Sequence, residues 1–229
     1  MSFVPPFANL LLAHLQQEER QRVLKSIVVT VAPELWLSLE SAALLDIHRD
    51  KLNLGGQLDE RIDYRLSGDL AARTNVPRWL IAAERRKVDI WVEDSYAEQP
   101  STALEFKVVH NNKNTYDKIW QIRNDLAKAI PRTSPKERIE RWGIVLLTYS
   151  RFYSDQQGGY SYGKFDSCQA FLDAFRHGLN DPDPWYEGAP QLELVMAPTK
   201  VTDLEDAHYI EPGKEAGVYL ALVRCKGQG

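Results

Sequence analysis

Only two cysteines occur in the 229 residues, Cys168 and Cys225, far apart and in no CxxC pair. That excludes a disulfide framework, leaves little for a structural zinc site, and fits a reduced intracellular protein. Long apolar runs are missing as well: no stretch approaches the roughly 20 residues needed to cross a bilayer. The N-terminus lacks the basic start of a secretory signal, and its short apolar segment Leu10–Ala13 is followed at once by His14, Gln16, Gln17, Glu18 and Glu19. The expectation is a cytoplasmic protein with no membrane partner. The five histidines show no metal-ligand spacing such as HxxxH. Walker loop, Rossmann glycine fingerprint and GxSxG elbow are all absent, which removes the commonest nucleotide-binding and esterase classes. His110-Asn111-Asn112 lacks the second, suitably spaced histidine that an HNH nuclease would need.

The chain is rich in core-forming residues. It is 44% hydrophobic and carries six Trp, ten Tyr and seven Phe, a composition that argues against disorder. No internal repeat or long linker divides it, so a single domain over residues 1–229 is expected. Net charge is −4, but Arg73 to Arg141 holds fourteen Lys/Arg against ten Asp/Glu. This middle section is therefore +4 and the remainder −8, which makes the middle the more welcoming part for a polyanion.

Apolar spacing predicts one helix through the first thirty residues, with Phe7, Leu11, Leu15, Val23 and Ile27 inward. Pro33 suits the first turn of a second helix over 34–51, with Leu35, Leu39, Ala42 and Ala43 on one face. Alternation in Arg61–Leu66 reads as a strand, whereas Pro77 leaves 69–83 unassigned. Lys87–Glu93 alternates, with Val88, Ile90 and Val92 on one face and Asp89 on the other. In Thr102–Val109, Leu104, Phe106 and Val108 share one face while Glu105 and Lys107 share the opposite one. A helix over 115–130 follows, striped by Ile119, Ile122, Leu126 and Ile130. Trp142–Tyr149 is almost continuously apolar, the mark of a strand buried on both sides. Beyond it come a loop at 151–164, a short helix through Phe171, Leu172 and Phe175, a turn-rich segment at 180–184, and strands near 192–196 and 217–224.

Two of these strands place acidic groups where they can act together. Hydrolysis of a phosphodiester with a hard divalent ion needs oxygen ligands and a group that orients water. Asp89 on one strand and Glu105 on the next can supply the oxygens from one sheet face. Lys107 emerges beside Glu105, because strand side chains repeat every second residue, and its ammonium can orient water and offset developing charge.

Asp89 with Glu105-Phe106-Lys107 resembles the D…E-x-K signature of the PD-(D/E)XK, or restriction-endonuclease-like, superfamily. Val88 stands where the motif name has Pro. The predicted order, helix (34–51), strands (61–66, 87–93, 102–109), helix (115–130) and strand (142–149), resembles the superfamily's αβββαβ core. The implied fold is α/β: that core, with a mixed central sheet flanked by helices, spans 33–150. It is preceded by an N-terminal helix (1–32) and followed by a C-terminal α+β extension (151–229).

The resemblance implies a metal-dependent nuclease hydrolysing DNA, of restriction or defence type. Mg²⁺ (or Mn²⁺) would be held by Asp89, Glu105 and the Phe106 carbonyl, with Lys107 acting on the water, and the products would be a 3′-hydroxyl and a 5′-phosphate. Many members carry a further acid in the first core helix; Glu40 is the first candidate and Glu34 the second. Arg85-Arg86-Lys87 is positioned to meet a phosphate backbone, and Gln121 is the substrate-facing candidate on the following helix. The tail from 151 would supply specificity or a dimer contact, a homodimer being suited to cutting both strands. The alternative is a catalytically silent nuclease-fold protein that serves as a protein-binding or DNA-binding module.

Overall fold

A computed structural model describes residues 2–28, 33–56, 78–132, 137–150, 163–181, 190–207, 210 and 213–226. In chain order the helices are α1 (Val4–Leu15), α2 (Glu18–Ile27), α3 (Pro33–Ile47), α4 (Thr115–Ala127) and α5 (Cys168–Gly178). The strands are β1 (Trp79–Ala83), β2 (Ile90–Asp94), β3 (Ser101–His110), β4 (Ile139–Tyr149), β5 (Leu192–Asp203) and β6 (Gly217–Cys225). They form one mixed six-stranded sheet in the order β1-β2-β3-β4-β6-β5. β1, β2 and β3 run as an antiparallel meander. After β3 the chain passes through α4 and returns as β4, parallel to β3 over ten paired positions from Ser101↔Ile139 to His110↔Thr148. β6 lies antiparallel to both β4 and β5.

The alternation of β3 and β4 divides the core between two sheet faces. Leu104, Phe106, Val108, Trp142, Ile144 and Leu146 pack on one side with Phe7, Leu11, Leu37 and Leu45 from α1 and α3. Val109, Val145 and Leu147 pack on the other with Ile119, Ile122 and Leu126 of α4 and Phe171 and Phe175 of α5. The result is a mixed sheet flanked by helices, as read from the sequence. Among the described residues no helix is long and apolar enough to cross a membrane.

Several local expectations change. The first thirty residues form two helices, not one, because Gln17 is extended (φ −67°, ψ 140°) and redirects the chain. Leu24 becomes the buried residue of α2, while Val23 faces outward. In α3, leucines at 35, 37 and 39 offer no single apolar stripe. Contact with the sheet selects Leu37, Ser38, Ser41, Leu44 and Leu45, leaving Leu35 and Leu39 about half exposed.

The predicted strand at 61–66 lies outside the described residues. The strand that pairs with β2 is Trp79–Ala83, in a segment left unassigned because of Pro77. Strict alternation also fails at the start of β2. Glu84, Arg86 and Lys87 have positive φ, so a tight turn precedes Val88. Val88 consequently packs with Trp91 and Ala103 rather than with Ile90 and Val92. The C-terminal third extends the sheet itself: β6 is interior, between β4 and β5.

Candidate functional site

β2 leaves β3 early. Their pairing runs from Val92↔Thr102 to Ile90↔Leu104 and stops there, although β3 continues to His110. Along that remaining half, the Phe106 and Val108 amides point to the side that β2 has vacated, since main-chain groups two residues apart face the same way. Two carboxylates take them. Asp89 Oδ2 accepts from Phe106 N at 2.6 Å, and Glu34 Oε1 accepts from Val108 N at 2.9 Å. The Phe106 carbonyl faces the same edge as its N–H. One turn along α3, Ser38 donates to the Asp89 carbonyl at 3.3 Å, fixing the segment that carries Asp89.

Glu105 and Lys107 emerge on the α4 side of β3, as their alternation predicts. Glu105 is only 8% exposed. Burial first, and then the neighbouring Asp89 carboxylate, push its carboxyl up to about 7. Burial also raises Asp89, against the opposing effects of the Phe106 hydrogen bond and the Lys107 charge. For Lys107 burial alone would favour the neutral amine, but the bond to Asp125 and the nearby carboxylates outweigh it and raise the pKa, so the group stays an ammonium at neutral pH.

Two residues that the sequence did not single out complete the arrangement. Asp125 on α4 receives Lys107 Nζ at 3.1 Å on Oδ2, closer than Glu105 Oε2 at 4.0 Å, and pairs with Lys128 through Oδ1. Arg141 on β4 is buried, with Nη2 2.5 Å from the Asp125 carbonyl and 3.5 Å from Glu105 Oε1. Lys107 thus stands between the Glu105 and Asp125 carboxylates, and Arg141 between Glu105 and the main chain of Asp125. Asp125 lies one turn beyond Gln121 on the same helix flank, but nothing in that spacing sets it apart from an ordinary exposed helix acid.

The other expected site residues are distributed differently. Glu40 holds His14 Nε2 at 2.7 Å and Arg20 Nη1 at 3.1 Å, tying α3 to α1 and α2. Six residues separate it from Glu34, about 240° around a helix, so the two face different ways and Glu34 is the acid beside β3. Arg86 is committed to Glu137 at 2.6 Å and to the Trp91 ring at 4.3 Å. Arg85 is paired loosely with Glu93 at 3.5 Å, and Lys87 is exposed. Gln121 is exposed on the same flank of α4 as Lys118 and Asp125.

Among the described residues no group of three His, Cys, Asp or Glu side chains is arranged to hold a metal ion. What the site offers a cation is two mutually repelling carboxylates, Asp89 and Glu105, and the Phe106 carbonyl. That hard-oxygen set fits Mg²⁺, which is commonly held by one or two carboxylates with water and substrate oxygens completing the shell. A divalent charge would also relieve the repulsion that drives Glu105 toward its protonated form. Comparison with protein-family models, with curated proteins and with solved structures gives no significant match to this chain.

Proposed function

We propose that this protein is a metal-dependent nuclease of the PD-(D/E)XK type that hydrolyses DNA phosphodiester bonds. The observation that carries the reading is the convergence at the vacated edge of β3: Asp89 on the Phe106 amide, with Glu105 and Lys107 side by side on the neighbouring face. The strand order supports it. An antiparallel β1-β2-β3 meander followed by a helix and a parallel β4, with α3 laid against β3, agrees with the αβββαβ core that the D…E-x-K resemblance implied.

Asp89, Glu105 and the Phe106 carbonyl would hold Mg²⁺ or Mn²⁺, which supplies Lewis-acid stabilisation of charge developing on the phosphate. The chain's own groups do the rest. Lys107, kept protonated by Asp125, donates hydrogen bonds to the attacking water and to the phosphoryl oxygens; as an ammonium it orients rather than abstracts. Glu34 and Ser38 hold the β3 edge and the Asp89 segment in place. Lys118 lies on the same flank of α4 as Gln121 and Asp125, where both Lys118 and Gln121 can meet a phosphate backbone, and the exposed Lys87 precedes the Asp89 segment.

The test is cleavage of supercoiled and linear DNA with Mg²⁺ or Mn²⁺. Lys107→Ala and Asp89→Ala should each lower the rate about a hundredfold or more while far-UV circular dichroism stays unchanged. Cleavage that ignores both substitutions would end the proposal. One feature favours the silent-module reading, namely that Lys107 and Arg141 already stand beside the Asp125 and Glu105 carboxylates without a ligand. Tight DNA or protein binding with no metal-dependent cleavage would select that reading.

A further inference from the structure

We propose that Asp125 is a positioning residue that draws the Lys107 ammonium off Glu105 and so leaves that carboxylate open to a divalent cation. The inference rests on the metal-site reading of Asp89 and Glu105 given above.

Lys107 and Glu105 are two residues apart on one strand face, so their side chains emerge as neighbours. A buried ammonium beside a buried carboxylate, with nothing else nearby, closes into a contact ion pair, because Coulomb attraction grows as distance shrinks and low dielectric amplifies it. Here the pair is held open at 4.0 Å, and the ammonium sits at 3.1 Å from Asp125 instead. The competing acid comes from outside the sheet, delivered by α4 over the face that carries both residues.

Asp125 is itself braced on two sides. Lys128 takes its Oδ1, and Arg141 donates to its main-chain carbonyl while standing 3.5 Å from Glu105 Oε1. Arg141 is nine-tenths buried, and its Nε and Nη1 have no hydrogen-bond partner among the described residues, so the guanidinium has no other anchor than this corner. The corner therefore holds Lys107 off Glu105 Oε2, while Arg141 stays on the other oxygen, Oε1. Without Asp125, Lys107 falls onto Glu105 and competes with the incoming metal for the same oxygen.

Acting through Lys107 and acting simply as one more negative charge give different results in a double-mutant design. Mn²⁺ alone is titrated calorimetrically, without DNA, into the wild type, Asp125→Asn, Lys107→Met and the double variant. Asp89→Ala identifies the heat that belongs to this site. The expected result is that Asp125→Asn weakens Mn²⁺ binding fivefold or more when Lys107 is present, and by less than twofold when Met stands at 107. Equal weakening in both backgrounds, or no weakening in either, overturns the proposal. A wild type whose Mn²⁺ binding is absent, or unchanged by Asp89→Ala, overturns the metal reading beneath it. Circular dichroism and thermal unfolding accompany each variant; should Asp125→Asn fail to fold, Asp125→Ala, which suits a helix better, carries the same comparison.

Discussion

Glu105 is where a single residue can be interrogated most sharply. Its carboxyl is pushed up to about 7 by burial and by Asp89, well above the ordinary glutamate value near 4.5. Between those values the native state holds a proton that the unfolded chain has already released. Stability attributable to this group is therefore complete below about pH 4.5, declines as pH rises, and is gone above about 7. The loss amounts to roughly 3 kcal/mol. Urea unfolding in the presence of a chelator at pH 5 and pH 8 checks it: Glu105→Gln should match the wild type at pH 5 and exceed it at pH 8. Equal stabilities at both values would mean that the carboxylate is less enclosed than described.

At this scale the sequence was informative where chemistry follows strand alternation. Glu105 and Lys107 were legible because each interrupts an apolar run on its polar phase; Asp89 was singled out on an alternation that the turn before β2 breaks. The sequence reading put Glu40 ahead of Glu34, whereas Glu34 is the acid on the β3 edge: α3 is apolar around much of its circumference, and only docking decides which flank meets β3. Asp125 and Arg141 were unreadable for a similar reason. Their roles come from α4 and β4 arriving over Glu105, and no local pattern records that.

Among the elements, the seating of α4 on the sheet depends on Gly143. It pairs with Glu105 in the β3–β4 register. A Cβ at this position would lie 2.8 Å from Val223 Cγ2 and 3.1 Å from Leu126 Cδ1. Leu126 follows Asp125, so a methyl here pushes against the turn of α4 that holds Lys107. Gly143→Ala should lower the unfolding free energy by about 1–3 kcal/mol, read from denaturant titration, and should slow cleavage beyond what the stability loss explains. Full activity in a destabilised variant would mean that the sheet, not the helix, absorbs the extra carbon.

Most element positions from β2 onward were predicted to within a few residues, because α4 keeps its stripe of Ile119, Ile122 and Leu126 and β4 is apolar on both faces. β1 escaped: Trp79-Leu80-Ile81-Ala82-Ala83 does not alternate, and the helix-breaking Pro77 just before it hid a strand start. The N-terminal pair of helices escaped because the extended Gln17 sits in a polar stretch with neither Gly nor Pro to mark the break.

For the molecule as a whole, the C-terminal third is part of the load the sheet must share. β6 pairs with β4 from Trp142↔Arg224 to Tyr149↔Gly217, and Val218, Leu220, Leu222 and Val223 are fully buried. Truncation after residue 216 should therefore abolish cooperative unfolding rather than yield a trimmed, working core. Calorimetry or a denaturant titration of the shortened protein decides it; a sharp transition would show that 1–216 folds independently.

The early parting of β2 from β3 has a consequence of a different kind. A bare half-strand invites pairing with a second molecule, the usual route to edge-to-edge clumping. Here Asp89 and Glu34 occupy the amides that an intruding strand would seek, and their like charges add a repulsive guard. The acids assigned to chemistry thus also keep the sheet solitary, so a variant stripped of both should become prone to aggregation as well as silent.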